Sequence, residues 1–251
     1  MMPDQTTAPP ITRVTPGQGG LWLRDGYRLF MLSPLNWVVM CVLLMLGIIV
    51  LSMIPIASML VQIIMPGFSA GLMLAAHALQ RGENINIGYL WEGFRRNKNE
   101  LLSLGVISFI ANTIIMVIAA VLVSLFLGIA FIETISNLQA GVIPTDEMLG
   151  GLMLLLLILA TLTMPLLMAL WFAPSLIILN NVKAWDAFKT SFSACNRNII
   201  PFLIYGLVGM VFTILAALPF FLGFIILIPV FFCSVYCSWR DVFGDNTVSA
   251  R

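Results

Sequence analysis

Long stretches of this 251-residue chain carry no formal charge at all. Leu35–Gln80, Leu101–Ile132, Met148–Val182 and Ile199–Trp239 hold no Asp, Glu, Lys or Arg. Charged residues make up 9% of the sequence and hydrophobic ones 61%, against roughly 25% and 45–50% in soluble domains. That excess of apolar surface excludes a soluble globular protein and fits a chain solvated by lipid. Histidine is scarce too, with His77 alone. No acid lies within an apolar block to partner it, so a neutral histidine bonded to a neighbouring helix is expected rather than a proton relay. The four cysteines, Cys41, Cys195, Cys233 and Cys237, lie in or beside the apolar blocks. This gives no disulfide framework. Cys233 and Cys237 share a helical face but lack the third and fourth ligands of a metal site, so small core residues are the expectation. Phosphate loops, nucleophile–base pairs and paired carboxylates are missing at chemical spacing. Gly17-Gln18-Gly19-Gly20 follows no strand and is not a nucleotide loop. The expectation is a non-enzymatic protein with no cofactor, no metal and no nucleic-acid partner.

A helix crosses the hydrocarbon core in about 20 residues. The blocks of 46 and 41 residues each hold two spans, and those of 32 and 35 one long span each. Six spans result. Ser52, Pro55 and Ser58 break the first block, and Ala216-Ala217-Leu218-Pro219 breaks the last, because proline removes a donor and disfavours helix before it. Pro165 and Pro174 should kink the fourth span.

The bases define an orientation. All twelve Lys and Arg fall in the two tails or in the connections after the second and fourth spans, whereas Glu133–Glu147 carries three acids and no base. The positive-inside rule then puts both termini in the cytoplasm. Trp22, Trp37, Trp91, Trp185 and Trp239 map to the same boundary and read as a headgroup-level belt. The first block is too long and too late for a secretory signal.

Three segments before the first, third and fifth spans share a pattern of acid, small, aromatic and base. They are Arg24-Asp25-Gly26-Tyr27-Arg28, Trp91-Glu92-Gly93-Phe94-Arg95 and Trp185-Asp186-Ala187-Phe188-Lys189. The second and third read as amphipathic helices lying in the interface plane. The first, over Leu21–Leu32, is weaker, its apolar residues being scattered. The expected architecture is all-α: six transmembrane helices in three parallel repeats, each an interfacial amphipathic helix followed by a transmembrane hairpin. Expected boundaries are a disordered cytoplasmic tail over 1–20, one membrane domain over 21–243 with units near 21–80, 81–182 and 183–243, and a second cytoplasmic tail over 244–251. Gly67, Gly71 and Ala75 recur every four residues as a helix-packing seam. Gln62, Asn112 and Thr113 are expected to bond between helices.

Several stretches resemble an uncharacterised family of bacterial six-span inner-membrane proteins, akin to the membrane domain beside some glycerophosphodiester phosphodiesterases. They are Ser33-Pro34-Leu35-Asn36-Trp37, Pro66-Gly67-Phe68-Ser69-Ala70-Gly71, the run from Phe172-Ala173-Pro174 through Ala184–Lys189 to Pro201-Phe202, and Ser238–Phe243. The resemblance implies a bacterial inner membrane and no established activity. The acidic metal ligands of the phosphodiesterase domain are absent from this sequence, so that chemistry does not transfer.

The expected contact residues are therefore Arg24, Arg28, Arg95, Arg96, Lys98, Lys183, Lys189 and Arg197, facing membrane lipid headgroups or a membrane partner, including another copy of the chain. The alternative is a permease or channel for a small or lipid-like solute, with its path along the kinked fourth span and the Gln62/Asn112 layer.

Overall fold

The computed structural model describes residues 8–139, 141 and 146–244. Among them the only regular elements are helices: α1 (Gln18–Met31), α2 (Pro34–Ser52), α3 (Pro55–Gln80), α4 (Tyr89–Arg96), α5 (Lys98–Gln139), α6 (Asp146–Trp171), α7 (Ala173–Asn180), α8 (Ala184–Arg197), α9 (Ile199–Ala217) and α10 (Phe224–Phe243). Among the described residues six stretches are long and apolar enough to cross a membrane: Pro34–Ser52, Met59–Gln80, Lys98–Leu122, Leu149–Asn180, Ile199–Ala217 and Phe224–Phe243. Both expected breaks fall where proline ends helix propagation. α2 stops at Ser52 and α3 restarts on Pro55; α9 stops at Ala217, just before Pro219. The fourth span breaks at Phe172, with Pro174 in the first turn of α7, while Pro165 sits inside α6. Pro66 and Pro229 also lie inside helices, in α3 and α10.

The chain separates into two compact units, Met1–Val106 with Met168–Arg251, and Ile107–Leu167. In the smaller unit the helices satisfy polar side chains internally. Thr113, Ser124 and Thr161 each donate to the carbonyl four residues back, at 2.7–2.9 Å. Thr113 is therefore bonded within its own helix, not between helices as expected. A hydroxyl four residues from a free lone pair finds that partner without another chain segment.

The larger unit is centred on α3, α7 and α10, with α3 packed on both α7 and α10. Leu72, Ala75, Ala76, Leu176, Ile177, Cys233 and Tyr236 are buried there. Burial is uneven among the spans: half or more of the apolar stretch is enclosed in α3 and α10, but 22% in α2 and α9. An aromatic cluster ties α1, α9 and the α6–α7 junction together. Trp22 and Trp171 each meet both Phe202 and Tyr205 at centroid distances of 5.1–5.9 Å. The Tyr205 and Ser234 hydroxyls lie 2.6 Å apart, joining α9 to α10.

Three sequence expectations change here. The N-terminal tail is ordered from residue 12 onward: Thr12 N–H donates to the Val242 carbonyl at 2.8 Å, and Val14 N–H to Asn198 Oδ1 at 2.9 Å. Low hydropathy predicts too little apolar burial to order a segment, but this one is held by polar groups. The Val242 carbonyl, in the last turn of α10 where intrahelical donors run out, accepts from the tail. Residues 1–7 and 245–251 of the expected tails lie outside the described residues. The tryptophan belt is also divided. Trp22, Trp37 and Trp239 are buried in protein, whereas Trp91 and Trp185 are exposed. Boundary position does not reveal which side of a helix faces a neighbour. Finally, α1 is as one-sided as the others, burying Gly19, Trp22, Leu23, Gly26, Leu29 and Phe30. Two of these are glycines, which hydropathy does not register as a packing face.

Glycines mark the closest helix contacts. A Cβ on Gly19 would lie 2.0 Å from the Pro201 carbonyl oxygen, on Gly26 2.7 Å from Ser234 N, on Gly93 2.1 Å from the Gly67 oxygen, and on Gly105 1.9 Å from the Ile63 oxygen. Gly206 has open space at the same position. We expect Gly93→Ala to destabilise the protein by about 1–3 kcal/mol through overpacking, while Gly206→Ala gains up to about 1 kcal/mol from helix propensity. Thermal unfolding in detergent should place the two variants on opposite sides of the parent; Gly93→Ala matching Gly206→Ala would contradict the contact.

Candidate headgroup-facing basic site

Each acid–small–aromatic–base segment forms a short helix, and its four positions divide by direction. The small residue faces protein. Gly26 abuts Ser234 of α10, Gly93 abuts Gly67 of α3, and Ala187 is fully buried in α8, which packs on α7. The acid and base are three apart, so both reach the outer side. They pair in all three helices: Asp25 with Arg28 at 3.9 Å, Glu92 with Arg95 at 3.3 Å, and Asp186 with Lys189 at 2.9 Å. Asp25 also takes Arg24 at 3.4 Å, and Glu92 takes Arg96 at 3.2 Å. One carboxylate thus faces two guanidiniums in α1 and again in α4, leaving each helix a surplus positive charge. The bases remain more than half exposed. Exposed pairs of this kind contribute little to stability, so they leave the cations available to other anions.

Aromatics flank the bases. Trp91 packs edge-on to Phe68 at 5.4 Å, Trp185 stacks on Phe188 at 5.8 Å, and Lys189 Nζ lies 6.0 Å from the Trp185 ring centre. Lys98, Lys183 and Arg197 are exposed and, among the described residues, make no ion pair. Of the expected packing residues, Gly67 and Gly71 approach the short helix α4: a Cβ on Gly71 would stand 2.4 Å from the Tyr89 oxygen. Ala75 is buried deeper in α3.

Each short helix joins its span through one polar residue held outside helical geometry. Ser33 has φ −153° and ψ 61°, Asn97 −130° and 43°, and Asn198 −119° and 32°. The side chains secure the joints. Asn97 Nδ2 donates to the Ile177 carbonyl at 3.1 Å and to Asn181 Oδ1 at 3.2 Å, near the end of α7. Asn198 Nδ2 donates to the Thr12 and Ala194 carbonyls. Glu100 Oε2 accepts the Ala184 N–H at 2.7 Å, placing an acid at the N-terminus of α8, where the helix dipole favours it. Asp241 accepts from Gln18 and from the Trp22 indole. None of these four was singled out from the sequence. The available signal was a polar residue between a short amphipathic run and an apolar block.

His77 Nδ1 lies 3.0 Å from the Tyr236 hydroxyl of α10, the interhelical bond expected of it. Gln62 is exposed and forms no part of an enclosed layer. Among the described residues, no three His, Cys, Asp or Glu side chains gather closely enough to hold a metal.

Residues 53–170 match the family model described as "Predicted integral membrane protein (DUF2189)". The chain is a multi-pass integral membrane protein. It is also similar to a Burkholderia thailandensis protein named "Probable inner membrane protein BTH_II0599". The two are 27% identical over 257 residues, covering 93% of this chain and 94% of the relative. No solved structure matches. Both findings agree with the membrane family expected from the sequence.

Burial pushes the Cys195 thiol, on α8, from 9.0 up to about 12, since desolvation disfavours the thiolate. The thiolate is the reactive form. We therefore expect Cys195 to resist maleimide at pH 8 in the folded protein and to react on denaturation. Rapid labelling of Cys195 without unfolding would contradict its placement.

Proposed function

We propose that this protein is a non-enzymatic bacterial inner-membrane protein. Its short helices α1, α4 and α8 present bases to anionic lipid headgroups at the cytoplasmic face. The observation that carries this reading is the shared division of the three helices: small residue inward, acid neutralising one base, bases outward. A base held near an anionic leaflet contributes about 1 kcal/mol. Both termini are assigned to the cytoplasm by the distribution of Lys and Arg, and the relative's name supports the inner membrane.

We also read the three segments as one repeated unit. The joints, each with one polar residue outside helical geometry, and the i,i+3 pairs support this, as does a cyclic arrangement in which α1 packs on α10, α4 on α3 and α8 on α7. Each short helix then sits on the return helix of the preceding hairpin, with the last hairpin preceding the first.

A transport path along the Gln62/Asn112 layer has less support. Gln62 is exposed, and the α3–α7–α10 centre of the larger unit is filled by fully buried side chains such as Leu72, Ile177 and Cys233.

Neutralising Arg95, Arg96 and Lys98 together by Gln should reduce phosphatidylglycerol retention in native mass spectra by at least about tenfold. Phosphatidylcholine retention should be unchanged. Equal phosphatidylglycerol retention by variant and parent would remove the proposal.

A further inference from the structure

A groove of about 620 Å³ runs between α1 and the α9–α10 hairpin, within the size range of small-ligand sites. Its walls include Leu23, Phe212, Leu215 and Ile226, and the only polar side chains lining it are those of Arg24 and Tyr27. Phe212, Leu215 and Ile226 are about half exposed, and they belong to the spans Ile199–Ala217 and Phe224–Phe243. The groove therefore opens sideways, into the medium that surrounds a span.

A second groove, of about 320 Å³, lies between α4 and the α2–α3 hairpin. The two occupy matching places in the repeated segments. Gly20, Leu23 and Arg24 line the first, and Ile87, Leu90 and Trp91 line the second. These residues stand six, three and two positions before the small residue, Gly26 or Gly93. The grooves differ at the position two before that residue, which is a cation in α1 and an indole in α4.

We propose that the α1 groove binds an anionic phospholipid from the bilayer, one acyl chain lying along Leu215 and Ile226 and the phosphate at Arg24. The apolar walls match the chain. Arg24 is the charged residue of the lining, and it shares the single carboxylate of Asp25 with Arg28, so the local charge matches an anionic headgroup. In the α4 groove Trp91 takes that position, and the bases of α4, Arg95 and Arg96, are not among its lining residues. The assignment rests on the proposed headgroup-facing role and adds to it a defined seat and a lipid class.

The test uses the full chain reconstituted in bilayers containing phosphatidylglycerol with a diazirine in its acyl chain. After irradiation, adducts are mapped by peptide. They should concentrate on residues 212–230, fall about fivefold in Arg24→Gln, recover in Arg24→Lys, and disappear in Leu215→Trp, which fills the groove. A matching phosphatidylcholine probe should label residues 212–230 poorly. Equal labelling of 212–230 by both probes, or unchanged labelling in Arg24→Gln and Leu215→Trp, overturns the site. Those outcomes are separable from failure of the broader reading, which is tested at Arg95, Arg96 and Lys98 on other helices.

Discussion

Close backbone contact at small residues is the constraint on which the rest of this molecule depends. Helices in lipid gain little from hiding apolar side chains, because the surroundings are equally apolar. They associate where backbones come near. Gly19 and Gly26 bring α1 onto α9 and α10, Gly67 and Gly71 receive α4, and Gly105 seats the start of α5 on Ile63. Once such a helix is seated, the direction of each of its side chains is fixed by the 3.6-residue turn. Bases three positions from the paired acid then have to face outward.

The polar joints complete that placement. A short helix followed directly by a span would continue as one helix unless something stopped it. Ser33, Asn97 and Asn198 do so with one non-helical residue each. Asn97 and Asn198 also satisfy backbone groups of neighbouring segments, and Glu100 caps α8 from α5. These bonds link segments far apart in sequence at helix termini, where unpaired N–H and C=O groups are most numerous. The same logic orders residues 12–17, which have little apolar area to offer.

Much of this was legible beforehand, and what was not has identifiable causes. Uncharged runs and prolines located the spans, and the turns at Pro55 and Pro219 followed from the missing amide donor. The acid–small–aromatic–base pattern located α4 and α8. It undervalued α1, because glycines at 19 and 26 carry no hydropathy though they form close backbone contacts. Trp22, Trp37 and Trp239 were placed at the boundary and assigned to lipid, yet they are buried in protein. Depth along a span is encoded in one dimension, whereas facing depends on which neighbour arrives. The capping roles of Asn97, Glu100, Asn198 and Asp241 were hidden for the same reason: their partners lie 80 or more residues away.

The seated basic helices must all face one aqueous compartment. Single cysteines at Arg28, Arg95, Lys189 and Gln139 would report it, in a background whose native cysteines are buried. With a membrane-impermeant maleimide on intact cells, Gln139→Cys should label while the three replaced bases stay protected until the inner membrane is opened. Equal labelling of Arg95→Cys and Gln139→Cys from outside would contradict the account.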